Sequence, residues 1–176
     1  MKKNIIILNF LLEKGMTLIE ILIVIGIISV LSVVLITAIN PVESGRKSRD
    51  AKRISDLSTI KRAIDMALAD KQKLAITSSI EITSTNIGGL DISKYLPAIP
   101  KDPSRNSGNN VRVLILNSGN CESGSSNGPM LYEFVSDGDF YTIRTRFESL
   151  SNCDLLKNDG NQNNYYELGT KLNLFP

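Results

Sequence analysis

The stretch that decides the predicted fold is Lys14-Gly15-Met16-Thr17-Leu18-Ile19-Glu20, because it runs directly into the uncharged segment Ile21 to Ile39, ILIVIGIISVLSVVLITAI. As a helix, this segment would be ~28 Å long at 1.5 Å per residue, close to the ~30 Å hydrocarbon core of a bilayer. The segment therefore predicts a membrane-spanning helix. The alternative is a core helix that is buried on all of its faces.

The overall composition excludes several classes of function. The chain has 176 residues, a formal net charge of +2, no His and no Trp. A charge so close to zero argues against nucleic-acid binding through bulk charge, so we expect no specific nucleic-acid partner. Without His, Ser-His and Cys-His catalytic groups and His-based zinc sites are excluded. Turn chemistry explains Asp137 and Asp139, and we predict that the chain is not an enzyme and has no catalytic or metal site.

The segment Lys14 to Glu20 resembles the N-terminus of type IV pilins and type II secretion pseudopilins. Their pattern is a short basic leader, a Gly, a residue that is usually Phe, then Thr-Leu-Ile-Glu and an apolar helix. This chain has Met16 at the position where Phe is commonest. A second stretch, from Tyr95-Leu96 to Lys101-Asp102-Pro103, resembles a Pro-rich segment of major pseudopilins and favours that branch.

The resemblance implies a role for each residue around the junction. A prepilin peptidase would cleave between Gly15 and Met16 on the cytoplasmic side, and the new amine of Met16 would be N-methylated. Glu20 would pair with the N-terminal amine of a neighbouring subunit during assembly. The alternative for Glu20 is an interfacial carboxylate that stays in headgroup water. Cytoplasmic cleavage implies a single-pass inner-membrane protein with a cytoplasmic N-terminus and an extracytoplasmic head.

The rest of the chain predicts an amphipathic helix followed by strands. Asn40-Pro41 indicates a kink, a break or a new first turn, and apolar residues then recur every three or four positions between residues 46 and 73. Asp137-Gly138 lies between two β-rich runs and predicts a hairpin. The predicted fold is α+β and pilin-like, with one long N-terminal helix, half membrane-spanning and half amphipathic, on a small antiparallel sheet. The predicted domains are a leader (1–15), a transmembrane or filament-core helix (16–39), an amphipathic extension (40–74) and a head (75–176).

The two cysteines and an Asn-rich segment each leave two interpretations open. If the head is exported, a Cys121–Cys153 disulfide would stabilise it by ~3–4 kcal/mol; the alternative is two free thiols. Residues 158–163 carry oxygens at alternate positions, as a Ca²⁺ loop does, and some major pseudopilins bind Ca²⁺ in a C-terminal loop. Counted from Asp159, however, the sixth position is Asn164 rather than Gly and the twelfth is Thr170 rather than Glu, which favours a solvated turn and no cofactor.

These features together predict a structural subunit of a type IV pilus-like or type II secretion pseudopilus filament, assembled from the membrane through its N-terminal helix. The implied partners are further copies of the chain, the prepilin peptidase, a membrane assembly platform and the lipid bilayer. The filament would lie on the cell surface or in the periplasm. The alternatives are a monomeric, membrane-anchored extracytoplasmic binding module and, more remotely, an anchored hydrolase.

Overall fold

The computed structural model describes residues 15–38, 40–108, 111–126 and 128–175. The chain divides into two compact units, Met1–Pro41 and Val42–Pro176. The first contains helix α1, and the second contains the sheet. Each unit is described by itself.

The first unit is built on helix α1, Leu18–Ala38, whose sequence is almost entirely aliphatic. Asn40 lies outside any helix, and a second helix, α2, begins at Pro41. Proline suits the first turn of a helix, where no N–H is needed, but it disrupts a helix interior. The prediction of one long N-terminal helix is therefore wrong: the chain forms two successive helices that meet at Asn40-Pro41.

The membrane-spanning part of the predicted fold also needs correction. Within the described ranges, no helix combines the length and the apolar character needed to cross a membrane. The prediction of a single-pass inner-membrane protein with a cytoplasmic N-terminus and an extracytoplasmic head is therefore not supported. The pilin-like description of the fold is corrected with it, whereas the α+β class with an antiparallel sheet describes the second unit correctly.

The second unit packs helix α2, Pro41–Ala69, against a four-stranded antiparallel sheet. The sheet has the order β1-β6-β7-β8, formed by Thr77–Glu81, Glu133–Ser136, Tyr141–Thr145 and Tyr166–Gly169. Its core includes Ile60 and Ile64 of α2 with Phe134, Tyr141 and Ile143 of the sheet, all fully buried. Helix α2 has apolar residues at helical spacing along one face, and the strands have them at alternate positions on one face of the sheet. These two apolar faces pack against each other.

Hydrogen bonds from buried tyrosines fix α2 to the sheet. The Tyr141 hydroxyl donates to Asp65 over 2.5 Å, and the Tyr132 hydroxyl donates to Asp56 over 2.8 Å. The pKa of both tyrosines is raised, mainly by burial and also by the adjacent carboxylate. Both hydroxyls therefore stay protonated and donate. The predicted hairpin at Asp137-Gly138 is present, connecting β6 and β7.

Two further strand pairs flank the main sheet. Strands β2 (Asn86–Ile87) and β3 (Leu90–Asp91) form one short ladder. Strands β4 (Arg112–Asn117) and β5 (Asn120–Ser125) form a separate hairpin. Its turn residues, Ser118 and Gly119, both have positive φ, which matches the right-handed twist of a hairpin.

A disulfide connects the β4–β5 hairpin to a short helix that precedes β8. Cys121 on β5 is bonded to Cys153, the first residue of helix α3, Cys153–Lys157, with 5.8 Å between their Cα atoms. A short 3-10 turn, Leu150–Asn152, leads into α3. Beside the disulfide, a small second core contains Leu114, Phe147 and Leu156.

A buried charge network joins the first half of α2 to two distant segments. The Arg53 guanidinium is fully buried, donates to both carboxylate oxygens of Asp102 over 2.7 and 2.9 Å, and reaches Asp50 and Glu148 over 2.7 Å each. Arg49 adds a two-pronged contact to Glu148. Asp102 belongs to the Pro-rich segment and Glu148 follows β7, so one side chain fixes three parts of the domain.

The balance between burial and hydrogen bonding sets the direction of the pKa shift of each carboxylate in this network. Burial alone would raise the pKa of Glu148, but donors from Arg49, Ser104 and Arg53 outweigh it and lower the pKa to about 2. The stability due to Glu148 is therefore present above its ordinary pKa of 4.5 and is lost as the pH falls toward about 2. For Asp50, burial prevails over the backbone donors of Ser149 and Glu148, and its pKa is raised.

We predict that Arg53→Met destabilises the full chain by ~3–5 kcal/mol, because three buried carboxylates lose their shared cation. Urea unfolding followed by far-ultraviolet circular dichroism measures the change. Arg62→Met is the matched control: Arg62 is exposed on the same helix, so the change should stay within about 0.5 kcal/mol. Equal effects of the two substitutions would contradict the assigned role of Arg53.

We predict that removing the disulfide lowers the free energy of unfolding by ~3–4 kcal/mol, because it closes a loop with a sequence separation of 32 residues. Urea unfolding with and without reductant measures the loss. The chain has only two cysteines, so the reductant has no other target. The Cys121→Ala, Cys153→Ala double variant should match the reduced protein and should not respond to reductant. A reductant effect that persists in this variant would contradict the prediction.

Candidate functional site

The first turn of α1 holds Glu20 in a reciprocal capping arrangement. The Thr17 backbone N–H donates to Glu20 Oε2 over 3.4 Å, and the Glu20 N–H donates to Thr17 Oγ1 over 3.3 Å. This is a capping box, in which the two side chains satisfy N–H groups that the helix leaves unpaired. Glu20 is exposed, and its carboxylate lies beside residue 17, one residue from the predicted new N-terminus at Met16.

The predicted cleavage site precedes this cap. Gly15, Met16 and Thr17 are exposed and lie outside the helix. A Cβ added at Gly15 would meet no atom within 4 Å, so the fold itself does not require a glycine there. An extended, accessible peptide is what a protease cleft needs, and a requirement for Gly15 would therefore come from the cleft.

The apolar residues of α1 are exposed on every face. Consecutive helical residues differ by about 100° in direction, so an unbroken run covers all faces. Exposed fractions range from 40% at Val24 to 84% at Leu18. The exposed large aliphatic side chains of the helix up to residue 33 are Leu18, Ile19, Ile21, Leu22, Ile23, Val24, Ile25, Ile27, Ile28, Val30, Leu31 and Val33. We call this set the α1 apolar surface. A surface of this kind indicates contact with further apolar groups.

The small polar residues of α1 do not interrupt this surface. The Ser29 and Ser32 hydroxyls donate to the carbonyls of Ile25 and Ile28 over 2.7 Å each. These hydroxyls are satisfied within the helix and need no outside partner. Gly26 has open space where a Cβ would lie, which lets a neighbouring backbone approach closely.

The Asn-rich segment singled out in the sequence surrounds a carboxylate instead of offering oxygens to a cation. The backbone N–H groups of Asn161 and Gln162 donate to Glu167 Oε2 over 3.1 and 3.3 Å. The Glu167 N–H in turn donates to Asp159 Oδ2 over 2.9 Å. Asp159 and Glu167 are both buried, and each keeps one carboxylate oxygen without a hydrogen-bond partner, Asp159 Oδ1 and Glu167 Oε1.

These residues do not fit Ca²⁺, which takes six to eight oxygen ligands. The pair supplies one unpartnered oxygen each, while the remaining two carboxylate oxygens already accept backbone N–H groups. Asn161, Asn163 and Asn164 are exposed. Among the residues that the structure describes, no group of three or more His, Cys, Asp or Glu side chains could hold a metal ion.

Comparisons with known proteins identify no relative: no family model, no curated protein and no solved structure matches the chain.

The structure brings some predicted site residues together and adds others. Gly15, Met16 and Glu20 lie within one exposed turn, and Cys121 lies next to Cys153. The sequence analysis missed the Thr17–Glu20 capping box, although Thr-x-x-Glu before an apolar run is its standard signal. It also missed the pairing of Asp159 with Glu167, for which the local sequence carries no signal because the two residues belong to different elements.

Proposed function

We propose that the chain is a structural subunit of a helical filament, of the type IV pilus or type II secretion pseudopilus kind, in which copies of α1 pack together. The observation that carries the proposal is the α1 apolar surface, because among the residues that the structure describes nothing covers these large aliphatic side chains. Burying such a surface between subunits makes the free energy of association more favourable by about 25 cal/mol per Å² of apolar area.

The distribution of the apolar residues favours many copies over two. A dimer partner covers one stripe of a helix, and typical packed helices need an apolar stripe of only about 100°. The α1 apolar surface extends around the whole helix, so complete burial needs several neighbouring helices. A bundle of α1 helices from successive subunits provides them.

Glu20 supplies the ionic element of this assembly. Inside a water-excluding bundle an unpaired carboxylate costs several kcal/mol or becomes protonated. Cleavage between Gly15 and Met16 by a prepilin peptidase would create an amine at Met16, whose positive charge N-methylation retains. Pairing this amine with Glu20 of an adjacent copy removes the unpaired charge and fixes the axial register of the subunits. The peptidase and an assembly platform are the further partners in this proposal.

We predict that Glu20→Ala and Glu20→Gln both leave cleavage intact and prevent normal filament assembly. Glu20→Gln is decisive because Gln also serves in a capping box, so this variant keeps the cap and loses only the charge. A lost pairing of about 1.4 kcal/mol per interface already lowers the association constant roughly tenfold. Blots of processed protein and electron microscopy of filaments measure the two steps.

Thr17→Ala is the matched control for the capping box. It removes the Thr17 hydroxyl that accepts from the Glu20 N–H but keeps the Glu20 charge. Filaments should therefore form with Thr17→Ala and fail with Glu20→Gln. The opposite pattern would mean that Glu20 acts only as a helix cap, and that the register depends on other contacts.

We predict that Gly15→Val leaves an unprocessed precursor that forms no filaments. Because a side chain at residue 15 meets open space, the substitution should not disturb the fold, and its effect reports on the protease cleft alone. Gly26→Ala is the control, since residue 26 also has open space but lies beyond the cleavage site; this variant should be processed normally. N-terminal sequencing of the mature chain should begin at Met16, and any other start contradicts the proposed site.

A further inference from the structure

The buried carboxyl pair near the C-terminus is not used by the proposed assembly. Asp159 is 8% exposed and Glu167 is 1% exposed, so both groups are almost completely removed from water. They are adjacent, since the Glu167 N–H donates to Asp159 Oδ2 over 2.9 Å. The oxygens Asp159 Oδ1 and Glu167 Oε1 have no hydrogen-bond partner. Two buried, adjacent carboxylates that are both ionised would repel each other strongly.

The charged groups around the pair compensate only one of the two negative charges. Arg144 on β7 favours the ionised form of Glu167, but it also pairs with Glu133 over 2.7 Å. The ionised Glu167 in turn disfavours ionisation of Asp159. Tyr166 on β8 is also coupled to the pair: burial, and after it the charge of Asp159, raises the pKa of the Tyr166 hydroxyl.

We propose that Asp159 and Glu167 form a proton-dependent clasp, in which Asp159 carries one proton while Glu167 is ionised, and that loss of this proton to water opens the loop between α3 and β8. The unpartnered Asp159 Oδ1 is the oxygen available for the proton, because Oδ2 already accepts the Glu167 N–H. Breaking the Asp159 O–H bond leaves a second buried carboxylate next to the first. The resulting repulsion opposes the closed arrangement of the loop.

The titration of the two groups agrees with this assignment. Burial raises the pKa of Asp159 to about 7. The hydrogen bond from the Glu167 N–H opposes this shift, and the charge of Glu167 adds to it. Burial also raises the pKa of Glu167, opposed by the N–H groups of Gln162 and Asn161 and by Arg144. The raised pKa of Asp159 agrees with a proton on this carboxyl up to about pH 7.

The clasp holds several parts of the domain in place. A Cβ at Gly160 would lie 2.0 Å from Glu167 Oε2 and 3.0 Å from the Leu172 carbonyl, so loop, strand and C-terminal segment are packed tightly. The Gln162 side-chain amide donates to the Phe175 carbonyl over 3.3 Å, and the Phe175 ring is buried. Opening the loop would expose this ring and free the segment after β8.

The sign of the pH dependence follows from the raised pKa of Asp159. Between its ordinary value of 3.8 and about 7, the closed state retains a proton that the open state releases. The stabilisation due to this proton is complete below pH 3.8 and is lost as the pH rises through about 7. Within that window, the opening equilibrium constant rises by up to about tenfold per pH unit for one proton.

The test is hydrogen exchange of the full chain, measured by mass spectrometry on peptides that cover residues 158–168, from pH 5 to 8 with EDTA present. The protection factors of this segment should fall as the pH rises from 5 to about 7 and level off above that pH. Asp159→Asn, which mimics the protonated group, should remain protected at pH 8 and lose the pH dependence. Asp154→Asn is the control, because Asp154 is an exposed carboxylate just before the loop and its removal should change nothing.

Three results would overturn the proposal. The first is a protection factor for residues 158–168 that does not depend on pH in the wild-type chain. The second is loss of protection at every pH in Asp159→Asn, which would make Asp159 a structural acceptor only. The third is recovery of wild-type protection at pH 8 upon adding Ca²⁺, absent in Asp159→Asn, which would mean that the pair holds a cation instead of a proton.

Discussion

The Arg53 guanidinium is the interaction on which the second unit depends. Its donors reach Asp50 one turn away on α2, Asp102 in the Pro-rich segment and Glu148 after β7. Hydrophobic contacts join α2 to the sheet but do not specify where irregular segments attach, because burial is non-directional. The planar, fixed fork of an Arg side chain does specify it, since each donor has a defined direction. One buried cation therefore determines where two irregular segments cross the helix.

This arrangement also separates the two units in energetic terms. The second unit pairs Asp50, Asp102 and Glu148 with Arg53 and Arg49, buries its aromatic core and bonds its β4–β5 hairpin to α3 through a disulfide. Within the described part of the chain, the side chains of α1 from Leu18 to Val33 are exposed, and the Ser29 and Ser32 hydroxyls donate within the helix. In the proposed filament, copies of α1 would supply the apolar partners of this helix.

Local sequence signals predicted the elements well, but long-range pairings escaped them. The apolar period of α2 and the Asp137-Gly138 hairpin could be predicted, because both follow from neighbouring residues. Strand β5 was missed because its Gly and Ser residues have low β propensity and pair only with β4. The sequence indicated a kink, a break or a new first turn at Asn40-Pro41, and the structure has two helices there. The proline alone did not decide between these outcomes, because it is acceptable at the first turn of a new helix. Two of the partners of Arg53, Asp102 and Glu148, lie in distant segments, so no spacing in the sequence reveals them.

The carboxylates of the chain show how environment sets the function of one chemical group. Glu148 is buried but faces two guanidinium groups, so it stays ionised well below the usual pH and acts as a permanent structural anion. Asp159 is similarly buried but faces another carboxylate, so its pKa moves in the opposite direction, toward neutrality. Glu20 is exposed, and its carboxylate accepts a hydrogen bond from the Thr17 N–H. Its charge is inexpensive in water and becomes costly only when assembly excludes water, so assembly through α1 requires that a cation accompany it.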